Sequence, residues 1–281
     1  MKAGLKRRAA KPIRKSVEEE DGAKDGSVQS VDRALSLLEA LGEDEEGYRL
    51  TDLAIRTGLS PSTAHRLLTT LEKRRFVEFD QSDNMWHVGR QAFAIGSAFV
   101  RRRNFVAPAL PFLRRLRDLT HETANLGIAE DGEVVVLTQI ESREIMRAIT
   151  RVGGRAPMVT SGIGKAILAT YADEDVAAII RRHGMRRLTP QSVVRAGELR
   201  DALEAIRRDG YAVDDQEFLT GLRCVASVVY NDQAEALAAI SVSGLASRVA
   251  AERVPELGRL VRETARELTL ALGGRLPDSS S

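Results

Sequence analysis

Apolar residues recur at two different spacings along the chain, and the change of spacing divides it. From Ser27 onward, Val31, Ala34, Leu35, Leu38 and Leu41 follow the step of a helix with one apolar stripe. Gly42 and the acidic run Glu43–Glu46 end that pattern. A short helix is expected from about Asp52 to Thr57, with Thr51 as its N-cap and Gly58 just past its end. Ser60–Pro61 opens a third helix, because a serine cap followed by proline at the first helical position pre-sets the first turn. That helix runs to about Arg74 and buries Ala64, Leu67, Leu68 and Leu71. Phe76–Phe79 and Met85–Val88 flank the polar stretch Asp80–Asn84 and read as a β-hairpin. Helical spacing resumes from Gly89 to Arg103.

Beyond residue 104 helices alternate with short strands. Pro108–Leu119, Ser161–Thr170, Glu174–His183, Ala196–Asp209 and Val254–Leu272 read as helices, the last with Leu257, Leu260, Val261, Ala265 and Leu268 on one side. Leu126–Ala129 and Val134–Ile140 read as strands joined through the Asp131–Gly132 turn, and Ile145–Arg151 as a further strand. Cys224–Tyr230 and Leu237–Val242 pair around Asn231–Glu235. Hairpins mixed with helices indicate an α+β domain, not a doubly wound sheet.

The second and third helices are separated only by Gly58, Leu59 and Ser60, the connection of a helix-turn-helix, and the hairpin that follows becomes a wing. With Ala64, Leu67, Leu68 and Leu71 inward, Ser62, Arg66, Thr69 and Lys73 face outward. Arg66 has the donors for a guanine edge. Ser62, Thr63 and the open N–H groups of the first turn suit phosphate. Thr51 and Thr69 reach backbone, His65 lies on the flank, and Arg74 and Arg75 meet phosphate where the wing begins. The plainer readings are helix initiation for Ser62 and Thr63 and a solvated surface residue for Arg66. A single module of this kind neutralises few phosphates, so a dimer is expected, with Phe93, Ile95, Phe99 and Val100 as its dimerisation or linker residues.

Charge sharpens the division. The 281 residues carry a net charge of only +2, but residues 1–15 hold seven Lys or Arg and no acid, and 16–30 hold five acids and one Lys. That stretch reads as a disordered tail. The stretch 27–103 is balanced at eleven against eleven, so basic charge is not spread over the molecule. The lone Cys224 excludes an intrachain disulfide framework, and four scattered histidines exclude a cysteine-rich zinc site. No apolar run is long enough to span a bilayer, and the basic N-terminus lacks the apolar segment of a secretory signal, so the cytoplasm is the expected location. The expected organisation is a tail (1–26), a winged helix-turn-helix domain (27–89), a linker helix (90–103), an α+β domain (104–274) and a second tail (275–281).

Several motifs stand in a fixed order: Val28-Gln-Ser-Val-Asp-Arg-Ala-Leu, Leu50-Thr-Asp-Leu-Ala, Gly58-Leu-Ser-Pro-Ser-Thr-Ala-His-Arg-Leu-Leu-Thr-Thr-Leu, Gly153-Gly-Arg-Ala-Pro-Met, Ser161-Gly-Ile-Gly-Lys-Ala-Ile-Leu-Ala, and Gly244 after a serine-containing strand. In these the chain resembles the IclR family of bacterial transcriptional regulators over about residues 27–274. The resemblance implies a winged helix-turn-helix domain, a linker helix and a GAF-like effector domain. It also implies homodimers or dimers of dimers on palindromic double-stranded operator DNA.

Within the second domain Ser241 and Ser243 alternate on one face of a strand, Cys224 begins another, and the helix near Ser161 offers the N–H groups of Gly162 and Ile163 to a carboxylate. The plainer reading makes the serines local backbone partners and Cys224 a small buried hydrophobe. The resemblance favours an effector site. In relatives that sense small carboxylates such as glyoxylate or pyruvate, the pocket groups match Gly162, Ile163, Asp214, Cys224, Ser241 and Ser243. Ile163 departs from the small residue usual there. Leu126, Met146 and Met158 are candidate apolar walls that leave room for an aromatic acid. No triad-like constellation surrounds Cys224, Asp173–Asp175 reads as a helix start, and the glycines are too sparse for a phosphate loop. Neither catalytic residues, a metal nor a cofactor is expected. The expectation is a repressor tuned by a small organic acid; the alternative is an activator of a catabolic operon answering to an aromatic acid.

Overall fold

The computed structural model describes residues 28–44, 46–101, 103–144 and 151–277. The first tail, most of the last, and residues 145–150 of the expected strand Ile145–Arg151, Met146 among them, lie outside the described residues. The chain divides between 102 and 103 into two compact units.

The first unit consists of α1 (Gln29–Leu41), α2 (Leu50–Thr57), α3 (Pro61–Lys73), an antiparallel hairpin of β1 (Val77–Asp80) and β2 (Met85–Val88), and α4 (Arg90–Arg101). Leu37, Leu41, Leu53, Ala54, Ala64, Leu68, Val77 and Trp86 form its core. The expected stripe on α1 is corrected: Leu37, Ala40 and Leu41 are buried, while Val31 and Leu35 are exposed. The apolar surface of that helix is wider than the part its neighbours cover. Thr51 is not a cap either. Arg49, in extended conformation, precedes α2 and its carbonyl accepts from the N–H groups of Asp52 and Leu53, which places Thr51 inside the first turn. Gly58 closes α2 in the left-handed conformation (φ 66°), where a β-carbon is penalised, and Leu59 N–H donates to the Ala54 carbonyl at 2.9 Å. Ser60 caps α3 by accepting the Thr63 N–H at 3.3 Å, with Pro61 at the first position.

The second unit contains α5 (Val106–Thr120), β3 (Thr123–Glu130), β4 (Glu133–Ile140), β5 (Arg155–Pro157), α6 (Gly162–Leu168), α7 (Asp173–His183), α8 (Ala196–Asp209), β6 (Ala212–Asp215), β7 (Leu222–Tyr230), β8 (Ala236–Leu245) and α9 (Val254–Ala271). Its sheet is antiparallel throughout, in the order β5-β4-β3-β8-β7-β6. Helices α5 and α9 pack against the central strands, and α6 packs against β6, β7 and β8. Alternation assigns the two faces: Ala226, Val228 and Ala239 join the core under α6, α7 and α8, while Val225, Ile240 and Val242 point the other way. Two edge strands, β5 and β6, exceed the sequence expectation. Arg275 N–H donates to the Asn231 carbonyl at 2.9 Å, so the expected tail is tethered where it begins.

Candidate nucleic-acid face and effector cavity

Within the first unit, Thr51, Ser62, His65, Arg66, Arg74 and Arg75 are exposed, and Thr63 and Thr69 are half-buried. They form three groups. Ser62 and Arg66 stand on the outer face of α3. The Ser62 hydroxyl lies 3.1 Å from Ser60 Oγ, and Ser60 Oγ donates to Thr63 Oγ1 at 2.9 Å, which ties the first turn together. Thr51, His65 and Thr69 line a cleft between the helices and the hairpin, together with Arg49, Asn84 and Trp86. Thr69 Oγ1 donates back to the His65 carbonyl at 2.8 Å, so toward any partner this hydroxyl is an acceptor. Arg74 and Arg75 form the turn after α3. Arg75 holds φ 60°, and its carbonyl accepts the Gln91 N–H at 2.9 Å. Among the described residues the side chains of Arg66, Arg74 and Arg75 have no hydrogen bond or ion pair. Their guanidinium groups remain available for phosphate or base edges.

The second unit holds a cavity of about 290 Å3 over the sheet face beneath α6. All six expected effector residues line it. Strand register explains why. Asp214 pairs with Cys224, Cys224 with Ser243, and Ser241 with Asn125, so one polar patch crosses β6, β7, β8 and β3 on a single face. Gly162 brings the start of α6 onto that patch: a β-carbon there would stand 2.9 Å from Cys224 Sγ. Ser161 caps the helix by accepting the Gly164 N–H at 3.0 Å. Ile163, the departure from the usual small residue, lies over Gly127, where a β-carbon would come within 3.2 Å of its Cδ1. The missing side chain at Gly127 thus makes room for the larger one at Ile163.

Burial sets the protonation states. Asp214 is pushed up to about 7 by loss of solvent, against the opposing effect of the Glu217 N–H, which donates to its Oδ1 at 2.8 Å, and of nearby Lys165. Cys224 is pushed up to about 11 by burial and then by Asp214, so its thiol is neutral at physiological pH. A neutral thiol is a weak nucleophile, and the nearest histidine in sequence, His183, lies against the Asp131–Gly132 turn. Lys165 forms a buried ion pair with Glu217, whose carboxyl is itself raised by burial. Thr189 and Ser192 donate to the Gln216 and Glu217 carbonyls at 2.7 Å each, which fixes the β6–β7 loop that presents Phe218 and Leu219 to the cavity. Among the described residues no three His, Cys, Asp or Glu side chains are grouped to hold a metal ion.

The apolar walls differ from expectation. Val134, Val136, Phe218, Leu219 and Leu222 line the cavity. Leu126 pairs with Ile240 and so faces away from it, and Met158 lies in the core under α6. Four polar lining residues lie outside the expected set: Asn125, Arg151, Arg155 and Ser161, the last expected only as a helix start. Asn125 was legible as a polar residue in phase with Thr123, opposite to Ala124 and Leu126. Arg155, in the motif Gly153-Gly-Arg, pairs with Glu133 at 2.6 Å.

Residues 30–81 match the pattern described as "IclR helix-turn-helix domain" and residues 97–270 that described as "Bacterial transcriptional regulator IclR C-terminal". The chain is 41% identical over 251 residues to the "Acetate operon repressor" of Salmonella typhimurium, covering 89% of this chain and 92% of the relative. It is 39% identical over 251 residues to the "Transcriptional repressor IclR" of Escherichia coli, with the same coverage of 89% and 92%. Among solved structures, a transcriptional regulator from Rhodococcus superposes with a TM-score of 0.74 at 26% identity, covering 88% of this chain and 99% of that one.

Proposed function

The chain belongs to the IclR family of bacterial transcriptional regulators and is a DNA-binding repressor of that family, and we propose that a small organic monocarboxylate in the sheet cavity releases it from its operator. The observation that carries the effector reading is the convergence of Asp214, Cys224, Ser241 and Ser243 with Gly162 and Ile163, at the start of α6, around one cavity. Its volume of about 290 Å3 lies at the small end for ligand pockets, which run from roughly 300 Å3 upward. Two hydroxyls and a neutral thiol on one side, with Phe218, Leu219 and Leu222 around them, suit one carboxylate on a compact carbon skeleton. A dianion would meet Asp214 as it ionises.

On this reading Ser62, Thr63 and Arg66 enter the major groove, Arg74 and Arg75 meet phosphate, and Thr51, His65 and Thr69 contact the flanking backbone. Two copies engage a palindrome as a homodimer or a dimer of dimers. Phe93 and Ile95, both exposed on α4, are available to pair. Phe99, also exposed on α4, and Val100 belong to the same proposal, with the Val100 side chain outside the described residues. No helix among the described residues is long and apolar enough to cross a membrane, and we place the protein in the cytoplasm with its DNA. For the effector to act, it must bind the DNA-competent and released arrangements with different affinity.

A thermal-shift screen of small carboxylic and aromatic acids, followed by operator titration with each hit, tests this. The expected result is a hit that weakens operator binding in the native protein and not after Ser241→Ala with Ser243→Ala. An unchanged response curve in that variant refutes the cavity assignment.

A further inference from the structure

The polarity of two serine hydroxyls is decided by a residue outside the expected set. Asn125 is 2% exposed, lines the cavity, and its Nδ2 donates to Ser241 Oγ at 3.2 Å and to Ser243 Oγ at 3.2 Å. Both amide hydrogens are therefore spent on the two serine oxygens. Each serine, having accepted from the amide, keeps its own proton to donate elsewhere. We propose that Asn125 is the positioning residue that makes the cavity an anion site: it holds both serine hydroxyls as donors toward a carboxylate. This rests on the effector reading above and names what gives that site its selectivity.

The opposite arrangement would act oppositely. An oxygen at the Nδ2 position would accept both serine protons, and the cavity would then present serine lone pairs and repel an anion. The Cys224 thiol lies on the same patch, in register with Ser243. A carboxylate oxygen is a far stronger acceptor than a neutral thiol for the serine protons. The amide oxygen of Asn125 is buried with no hydrogen-bond partner among the described residues.

The test uses the full chain with sodium glyoxylate, sodium pyruvate and pyruvamide, a neutral isostere of pyruvate, followed by calorimetry. The native protein is expected to bind at least one of the two anions and to prefer pyruvate over pyruvamide. Asn125→Asp places two acceptors on the serines and should weaken anion binding by on the order of a hundredfold while erasing or reversing that preference. Asn125→Leu removes the constraint without adding charge and should cost on the order of tenfold, but nothing further once Ser241→Ala and Ser243→Ala are present. This cycle also serves if the aspartate variant does not fold. Equal cost of Asn125→Leu with and without the serines overturns the proposal, as does native preference for pyruvamide. If the native protein binds neither anion, the effector reading fails and the proposal falls with it. If it binds and only the asparagine variants behave as wild type, the effector reading stands and the role of Asn125 alone is refuted.

Discussion

The outer face of α3 and the sheet face under α6 both present polar side chains for recognition, but from opposite surroundings. Arg66, Arg74 and Arg75 stand in solvent with no partner among the described residues. Asp214, Asn125, Ser241 and Ser243 are buried and hydrogen-bonded, each at most 5% exposed. Solvated groups keep their ordinary charge and act through long, salt-sensitive fields. Buried groups act through a few directed hydrogen bonds, and burial shifts their protonation. The DNA face should therefore tolerate single changes gradually, whereas the cavity should fail sharply.

The largest effect expected is on the cavity side. Truncating both Ser241 and Ser243 to alanine removes two charge-directed donors, and effector affinity should fall by on the order of a hundredfold. Operator affinity without effector should stay within about twofold, since both residues lie in the second unit. Arg66→Ala should do the reverse, costing about 1–3 kcal/mol of operator binding through a lost base contact while leaving effector affinity unchanged. Isothermal titration with effector and fluorescence anisotropy with operator measure both arms. If either variant impairs both activities equally in a folded protein, the two regions are not separable in this way.

A middle-sized effect follows from Asp214. Its carboxyl is raised to about 7, so it is neutral below that pH and anionic above. A bound carboxylate is opposed by the anionic form, so effector affinity should hold steady below pH 7 and fall by up to about tenfold per unit above it. Asp214→Asn should flatten that dependence. The stability arm has its own sign. The native pKa exceeds the ordinary 3.8, so the folded chain retains a proton that the unfolded chain releases between these values. This group's contribution is full below pH 3.8 and is lost as pH rises through about 7. Thermal melts of the native protein and Asp214→Asn across that window read it directly. A pH-independent effector affinity would remove Asp214 from the neighbourhood of the bound anion.

The sequence was most legible where local rules decide the outcome. Ser60–Pro61 fixed the start of α3 and Gly58 the end of α2, because a cap and a left-handed glycine need only near neighbours. The resemblance carried the cavity residues, and strand register then explains how positions separated by some eighty residues meet. Less visible were features set by tertiary packing. Strand β6 (Ala212–Asp215) has only four residues, two of them acids, so its pattern resembles a loop until β7 supplies the partner. The buried face of α1 depends on where α2 and α3 lie against it, which the spacing of Val31 and Leu35 does not encode. Apolar character alone gives Leu126 no phase relative to the cavity: it sits one residue from Asn125, and one residue reverses the face. Asn125 itself carried a weak signal, because a single polar residue between Ala124 and Leu126 gains meaning only opposite Ser241.

The smallest effect expected returns to the DNA face and separates two kinds of contact within it. Arg74 and Arg75 follow α3 on a turn whose backbone is held: Gly89 N–H donates to the Phe76 carbonyl at 2.8 Å and Gln91 N–H to that of Arg75 at 2.9 Å. That anchoring fixes where the two guanidinium groups leave the surface, yet neither sits on the α3 face that we propose reads bases. Their contribution should then be charge without sequence information. Each Arg→Gln change should lower operator affinity only a few-fold at moderate salt and reduce the slope of log affinity against log salt by about one. The ratio of operator to random-sequence affinity should not move. Arg66→Ala should instead reduce that ratio and relax preference at one base position. Anisotropy titrations over a range of salt, with operator and scrambled duplexes, resolve the two behaviours. A loss of selectivity at Arg74 or Arg75 would shift the reading surface from the helix to the turn that follows it.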